Sequence, residues 1–295
     1  MKFGVNTYIW GATFGPADFH LLPRIKAAGF DGIEVPILDP QAFDADAVGR
    51  ELERVGLART AVANVPGGSS LASADAGARQ RAREHVGRCI EAARDLGSTI
   101  LSGPMYTPVG FLTGQRRTAD EWKWAVDSWQ GLAAVADAAG IDIALEPLNR
   151  FETYFLNTAA DAARLCADIG SPRVGILVDT FHANIEEKSI GAALRHAGPH
   201  LKHLHVCEND RGIPGSGHVA WPEVFSTAAA LGYDRWMTIE SFGFSLGELS
   251  TAAAVWRDLA PTPEDIAFEG IAFLRANVAS AAAPADITAN VTRPD

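Results

Sequence analysis

Short apolar runs alternate with amphipathic stretches along almost the whole chain. Eight runs rich in aliphatic and β-branched residues predict strands: FGVNTYI, GIEVPI, LARTAVANV, TILSGP, IDIALEP, RVGILVDT, LKHLHVCE and RWMTIES. Between them, helical periodicity covers roughly residues 17–29, 41–55, 76–96, 118–139, 157–169, 189–198, 221–231 and 263–280. Eight strands alternating with eight helices predict an α/β fold, a TIM (β/α)8 barrel in a single domain.

Several predicted helices end in a glycine just before the next strand, as in KAAGFDGIEV, ARDLGSTIL, DAAGIDIAL and AALGYDRWM. Glycine tolerates the left-handed conformation that ends a helix. An open doubly wound sheet also alternates strands and helices, but it often carries a GxGxxG turn after its first strand. Here that turn is NTYIWGATFG, so the pattern favours the closed barrel.

The segment near residues 245–262 predicts a helical insertion before the last barrel helix. We therefore expect the barrel to occupy residues 1–281. Residues 282–295 predict a low-complexity C-terminal tail, since they are mostly small and polar.

The amino-acid composition of the chain argues against nucleic-acid and membrane partners and indicates a compartment. The chain has a formal net charge of -11 and no basic stripe, so nucleic acid is not expected to bind. No stretch approaches about 18 uninterrupted apolar residues, and MKFGVNTYIW resembles a strand, so we expect neither a membrane span nor a targeting signal. Three widely spaced cysteines without CxxC fit a reducing compartment, and we expect a cytoplasmic protein.

Four successive predicted strands end in a side chain that can bind a metal. Strand five ends at Glu146, strand six ends at Asp179, strand seven presents His205 and strand eight ends at Glu240. In a TIM barrel the site lies at these strand ends. A single strand-end carboxylate is more often part of an ion pair. Four in adjacent register instead predict one divalent ion, because oxygen ligands with one nitrogen suit Mn²⁺, Mg²⁺ or Co²⁺.

His203 competes with His205 for this role, because alternation along a strand places both side chains on one face. The strand-end position favours His205. Cys207 has the same parity, but a lone cysteine is more often a small buried hydrophobe.

The loops after the strands supply further polar groups. Arg211 offers a fork of donors for substrate oxygens. His182 has three possible roles: a second metal ligand, a donor to the substrate, or a polar residue at a helix start. The stretch GIPGSG lacks the Lys-Ser/Thr ending of a phosphate cradle and predicts a tight loop at the barrel mouth. The other candidates follow strand five: Arg150 and Glu152.

Three motifs after the predicted strands stand out: EPLNRFETYFLNT, GILVDTFHANIEE and HVCENDRGIPGSGHVAW followed by IESF. They resemble those of the ketose 3-epimerase family, whose members act on D-tagatose, D-allulose (psicose) and L-ribulose. The resemblance runs from Met1 to about Arg275 and implies a xylose-isomerase-like barrel. The early loops NTYIWGATFG and GPMYTPVGFL, which would contact the far end of the sugar, show no pattern that identifies the preferred ketose.

The resemblance implies roles for residues of this chain. The four strand-end side chains would bind one divalent ion, Mn²⁺ as the preferred candidate, with Co²⁺ or Mg²⁺ as alternatives. Glu152, His182 and Arg211 would bind the ketose near O1 to O3. The family also forms dimers or tetramers, so we expect a homodimer or homotetramer.

We expect inversion of C3 of an unphosphorylated ketose through a metal-stabilised enediolate, with Glu146 and Glu240 exchanging acid and base roles. The main alternative is a sugar or hydroxypyruvate aldose-ketose isomerase with the same metal site. A phosphodiesterase of the AP endonuclease type would need further histidines at strands three and four, where the chain has Asn64 and Gly103. A non-catalytic sugar-binding protein would not need two proton-transfer groups.

Overall fold

The computed structural model describes residues 1–243 and 247–282. Its eight parallel strands close into a barrel in sequence order, with the last strand paired to the first. The strands are β1 Lys2–Asn6, β2 Gly32–Pro36, β3 Ala58–Val62, β4 Ile100–Gly103, β5 Asp142–Leu145, β6 Val174–Asp179, β7 Leu201–His205 and β8 Trp236–Ile239. The predicted TIM (β/α)8 barrel is confirmed.

Helices follow the strands and cover the outside of the barrel. They are α1 Leu22–Ala27, α2 Ala45–Val55, α3 Ala76–Leu96, α4 Ala119–Ala139, α5 Ala159–Ile169, α6 Thr180–Glu186, α7 Ile190–Ala197, α8 Trp221–Ala230, α9 Glu248–Ala253 and α10 Pro263–Ala282. Short 3-10 helices occupy Thr7–Ile9, Pro16–Leu21 and Gly198–His200. Within the described ranges, none of the helices is both long and apolar enough to span a membrane.

The glycines expected to end helices have the backbone conformation that this role requires. Gly29, Gly97, Gly140 and Gly232 all have positive φ. At Gly97 the N–H donates back to the carbonyl groups of the last turn of α3. These left-handed ends turn the chain directly into the next strand.

Two helical segments differ from the sequence prediction. The segment expected at 17–29 divides into a 3-10 helix, Pro16–Leu21, and α1, each with a proline in its first turn. Helix α6 was not predicted, because its seven residues are too few to show a helical period. It begins directly after Asp179, whose Oδ1 accepts the N–H of Phe181 at 2.8 Å.

The predicted insertion contains α9, and residues 245 and 246 of it lie outside the described residues. Of the predicted tail, Ala282 is the last residue of α10. Residues 283–295 lie outside the part of the chain that the structure describes.

The strands direct apolar side chains outward to the helices and several polar side chains into the barrel interior. On β2, Ile33 and Val35 belong to the main apolar core, which the strands share with the surrounding helices. Glu34 between them is fully buried and hydrogen-bonds to other strands of the barrel. The alternation along a strand therefore carries polar side chains into the barrel interior, below its C-terminal mouth.

Candidate active site

The four strand-end side chains predicted as metal ligands lie together. One atom each from Glu146, Asp179, His205 and Glu240 lies within 4.8 Å of the others, and all four side chains are buried. They come from β5 to β8, which are neighbours in the closed barrel. The carboxyl ends of adjacent parallel strands meet at one edge, and this brings distant residues of the chain into one cluster. Their role as ligands stays a prediction.

Two atoms of this cluster lack hydrogen bonds. Glu146 Oε1 and His205 Nδ1 are buried, and neither makes a hydrogen bond to the residues that the structure describes. His205 Nδ1 lies 3.2 Å from Glu240 Oε2 and 3.9 Å from Glu146 Oε1. A buried polar atom without a partner costs about 1–3 kcal/mol. A divalent cation among three carboxylates and one imidazole would satisfy both atoms, and this donor set suits Mn²⁺, Mg²⁺ or Co²⁺.

The two glutamates of the cluster have different electrostatic environments. Burial, together with the neighbouring charge of Glu240, raises the pKa of Glu146 well above its ordinary value. Burial acts in the same direction on Glu240, but His205 and Arg211 outweigh it and lower the pKa of Glu240 to about 2. Without a bound ion, the two carboxyl groups therefore differ in acidity. Such a separation is typical of acid and base partners.

A second group with the composition of a metal site shares one of these residues. It consists of Glu34, His203 and His205. Glu34 Oε1 lies 2.6 Å from His205 Nε2, and Glu34 Oε2 lies 3.0 Å from His203 Nε2. The shorter contact is a hydrogen bond, so Glu34 binds directly to the His205 ring. This group supports His205 from below.

Sequence reasoning missed Glu34. The available signal was a single carboxylate in the middle of the otherwise apolar strand GIEVPI. His203, the alternative to His205, faces Glu34 and is not part of the four-residue cluster. Cys207, expected to be a buried hydrophobe, is buried, but its thiol also donates to Asp179 Oδ1 at 3.2 Å.

Arg211 lies directly over the cluster. Its Nη1 donates to Asp179 Oδ2 at 2.6 Å and to Glu240 Oε2 at 2.8 Å. Its guanidinium carbon lies 4.3 Å from the ring centre of Phe181 and 5.3 Å from that of Phe242. The backbone of Arg211 has φ 69°, an uncommon conformation for a residue with a side chain. Ser241 Oγ donates to its carbonyl oxygen and helps to hold this conformation.

Glu208 organises the loop that carries Arg211. It is fully buried, and its carboxylate accepts the N–H of Gly215 at 2.9 Å, the N–H of Val219 at 2.8 Å and the indole N–H of Trp221 at 2.9 Å. The N–H group of Gly215, in the stretch GIPGSG, and that of Val219 just after it therefore point at Glu208. This geometry supports a tight loop rather than a phosphate cradle. Sequence reasoning also missed Glu208, the last residue of the predicted strand LKHLHVCE.

His182 lies in α6 and faces the cluster. Its Nδ1 accepts the backbone N–H of Asn149 at 3.1 Å, which places the proton of a neutral ring on Nε2. That nitrogen lies 3.6 Å from Glu146 Oε1 and 3.1 Å from Arg211 Nη2. Burial lowers the pKa of His182 to about 3, so the ring is neutral near pH 7. A neutral ring with its N–H toward the cavity is suited to donate to a bound oxygen.

The side chains of Arg150 and Glu152, in the loop after β5, point in different directions. Glu152 lines the cavity above the cluster and accepts from Asn149 Nδ2 at 2.7 Å. Arg150 points away: its side chain is 62% exposed, and its Nε donates to Glu186 Oε1 at 2.9 Å. Arg150 is therefore a surface ion-pair residue, and Glu152 belongs to the site.

The cavity has a polar end and an apolar end. The polar end is formed by five side chains: Glu146, Glu152, His182, Arg211 and Glu240. Asn64 stands among the apolar residues of the other walls. Helix α9 adds part of this wall from the insertion, through Leu249, Ala252 and Ala253. The remaining lining residues are Tyr8, Val62, Ala63, Pro104, Val109, Leu148 and Phe242.

Comparison with known proteins agrees with this fold. Residues 22–277 match the family model described as xylose isomerase-like TIM barrel. A probable ketose 3-epimerase from Synechocystis sp. is 36% identical over 93% of this chain and 96% of its own length. The L-ribulose 3-epimerase of Mesorhizobium japonicum is 32% identical over 88% of both chains. A solved structure of L-ribulose 3-epimerase superposes with a TM-score of 0.91 at 30% identity, covering 99% of both chains.

These similarities extend over nearly the full length of the chain. They place it in the class of xylose isomerase-like TIM barrels. Within that class the chain belongs to the ketose 3-epimerase family, which consists of carbohydrate isomerases. The resemblance noted in the strand-end motifs is thereby confirmed.

Proposed function

We propose that this protein is a metal-dependent epimerase that inverts C3 of an unphosphorylated ketose of the D-tagatose, D-allulose/D-fructose or L-ribulose type. The observation that carries the proposal is the pair Glu146 and Glu240. Both belong to one buried cluster of potential metal ligands, and both line the cavity above it. The names of the relatives from Synechocystis sp. and Mesorhizobium japonicum support the same reaction.

The proposed metal site consists of the four clustered side chains from β5 to β8. Mn²⁺ is the preferred candidate, and Co²⁺ and Mg²⁺ are alternatives that the same donor set would accept. When bound there, such an ion would act as a Lewis acid toward the ketose oxygens and stabilise the negative charge of an enediolate.

The two glutamates would exchange protons with C3. In one direction the ionised Glu240 removes the C3 proton, and the protonated Glu146 delivers a proton to the opposite face of the same carbon. In the reverse direction the two groups exchange roles. Burial of both side chains keeps water from supplying these protons in their place.

Three side chains at the polar end of the cavity would position the sugar. His182 offers its Nε2–H and Arg211 offers its guanidinium to ketose oxygens. Glu152 would accept from a hydroxyl group of the sugar. In this proposal the three groups contact O1 to O3, next to the carbon that reacts.

The charge of the cavity favours a free sugar over a phosphorylated one. Arg211 is already paired with Asp179 and Glu240. The N–H groups of Gly215, in the stretch GIPGSG, and of Val219, just after it, are bonded to Glu208. Much of the remaining wall is apolar. A phosphate group would therefore meet carboxylates and apolar side chains here, and its desolvation would cost free energy without compensation.

The reaction can be tested directly. Purified protein with Mn²⁺ is incubated in heavy water with D-fructose, D-tagatose or L-ribulose, and products are separated by chromatography. We expect the C3 epimer with one deuterium at C3. An aldose product with exchange at other carbons would instead identify the alternative, a sugar or hydroxypyruvate aldose-ketose isomerase. Binding without any exchange would identify a sugar-binding protein.

We also propose a cytoplasmic homodimer or homotetramer. The three cysteines are free in the structure and buried. Large apolar side chains are exposed, among them Phe111 at 50%, Phe151 at 70% and Trp256 at 74%. Light scattering coupled to size-exclusion chromatography would measure the number of subunits.

A further inference from the structure

A carboxylate lies beneath the proposed metal site, inside the barrel. Glu34 stands in the middle of β2 and is fully buried. Its neighbours in register are Asn6 on β1 and Thr60 on β3. From β2 its side chain reaches across the interior to the two histidines of β7. It therefore joins the early strands of the barrel to the strand that carries His205.

Donors surround both oxygens of this carboxylate. Oε1 lies 3.1 Å from Asn6 Nδ2 and 2.6 Å from His205 Nε2. On the other side, Oε2 accepts from Ser102 Oγ at 2.9 Å and from Thr60 Oγ1 at 3.2 Å. His203 Nε2 lies 3.0 Å from the same oxygen but makes no hydrogen bond to the described residues. A buried carboxylate is stable only when it is hydrogen-bonded or paired in this way. The surrounding groups come from four other strands, β1, β3, β4 and β7, and fix the carboxylate in one position.

The shortest of these contacts determines the state of His205. Because Nε2 donates its proton to Glu34, Nδ1 of the neutral ring carries a lone pair. That nitrogen points toward Glu240 and Glu146, where it makes no hydrogen bond to the described residues. The ring of His203 lies edge-on to that of His205, with their centres 5.2 Å apart, and limits its rotation.

We propose that Glu34 is a positioning residue of the metal centre: it holds His205 with Nδ1 directed at the ion, and its negative charge strengthens the imidazole as a ligand. Carboxylates bonded to the outer nitrogen of a metal-binding histidine have this effect. The proposal rests on the proposed metal site. It does not depend on which sugar reacts or on whether C3 is the carbon that is inverted.

A purely structural role for Glu34 makes a different prediction. In that case Glu34 would stabilise the barrel through its donors, and its removal would lower stability without a specific effect on the metal. The matched control for this effect is Asp142, at the start of β5. Its carboxylate accepts from Lys202 Nζ at 2.9 Å and from Arg235 Nη1 at 2.8 Å, at the opposite end of the barrel.

The first experiment compares Glu34→Gln with Asp142→Asn. Electron paramagnetic resonance of free Mn²⁺ gives the dissociation constant, and thermal melting after treatment with chelator gives stability. We expect Glu34→Gln to weaken Mn²⁺ binding about 10- to 100-fold. Asp142→Asn should lower the melting temperature and leave the dissociation constant unchanged. An unchanged dissociation constant in folded Glu34→Gln would overturn the proposal.

The second experiment uses the unaltered protein, so it does not depend on whether the variant folds. Nitrogen NMR of isotope-labelled histidine, with diamagnetic Mg²⁺ as the probe, identifies the protonated nitrogen of His205. We expect the proton on Nε2 and a metal-shifted Nδ1. A proton on Nδ1 in the Mg²⁺ form would rule the proposal out. If the metal measurements agree while no ketose is epimerised, the proposed reaction fails and the role of Glu34 stands.

Discussion

Arg211 Nη1 lies 2.8 Å from Glu240 Oε2, within the cluster that we propose to bind a metal. The same nitrogen contacts Asp179 at 2.6 Å. The guanidinium therefore offsets part of the negative charge that three carboxylates place in one buried volume. It also lines the cavity that would hold the sugar, so one side chain joins the proposed metal and substrate sites.

Replacement of Arg211 should affect substrate binding more than the chemical step. In Arg211→Ala the sugar loses a forked donor, and we expect mainly a raised KM. Steady-state kinetics with the best ketose measures the change. The matched control is Arg150→Ala, because Arg150 is exposed and paired with Glu186 outside the cavity. A large fall in kcat with unchanged KM would show that Arg211 acts in the chemical step instead.

Loss of either proton-transfer group should nearly abolish turnover. Glu146→Gln and Glu240→Gln keep the shape of the side chain but cannot exchange a proton, and general acid-base groups typically contribute about 10²- to 10⁴-fold to rates. The rate is measured as deuterium incorporation at C3, with Mn²⁺ binding measured in parallel. Glu186→Gln serves as a control, since this carboxylate pairs with Arg150 outside the cavity. If either active-site variant kept most of its rate with an intact metal site, the two-carboxylate scheme would be wrong.

Removal of divalent ions should stop the reaction and lower stability together. A chelator should abolish epimerisation, and added Mn²⁺ should restore it. An ion that binds only the folded state at 100 times its dissociation constant adds about 2.7 kcal/mol to the free energy of unfolding. Thermal melting with and without Mn²⁺ measures this effect. Full activity after exhaustive chelation would contradict the proposed site.

His182 should make the metal-free protein sensitive to acid. Burial lowers its pKa from 6.5 to about 3 in the folded state. Between these values the unfolded chain binds a proton that the folded protein does not. This contribution to the free energy of unfolding is therefore constant above about pH 6.5 and falls as pH decreases toward about 3.

The measurement is urea unfolding of chelator-treated protein at several pH values. Other buried groups also contribute to acid sensitivity, so the informative quantity is the difference between wild type and His182→Asn. We expect a shallower dependence on pH in the variant over this range. Parallel curves for the two proteins would show that His182 does not titrate in this way.

The four clustered side chains were predictable because each stands where an apolar strand ends, and a closed barrel brings such ends together. Glu34 was not predictable in its role, because its partners on β7 lie far away in sequence and meet it only across the barrel. The direction of the Arg150 side chain was also not predictable from the sequence, because it pairs with Glu186 at the end of α6. That helix is too short to produce a periodic signal.

The loop after β7 is a second example of contacts that the sequence does not reveal. Its glycines predicted a tight turn, and that prediction agrees with the geometry. The hydrogen bonds that hold the turn come from Glu208, and these bonds form only once the loop has folded over that carboxylate. Local patterns thus located the elements and their ends, while contacts between elements decided which charged groups face the cavity.

Helix α9 covers the apolar end of the cavity with Leu249, Ala252 and Ala253, although it comes from the insertion and takes no part in closing the barrel. Changes in the length or sequence of α9 would therefore reshape this wall of the cavity and leave the four clustered side chains in place. If the proposed function is correct, substitutions at these three residues are the natural first choice in selecting for activity on new sugars.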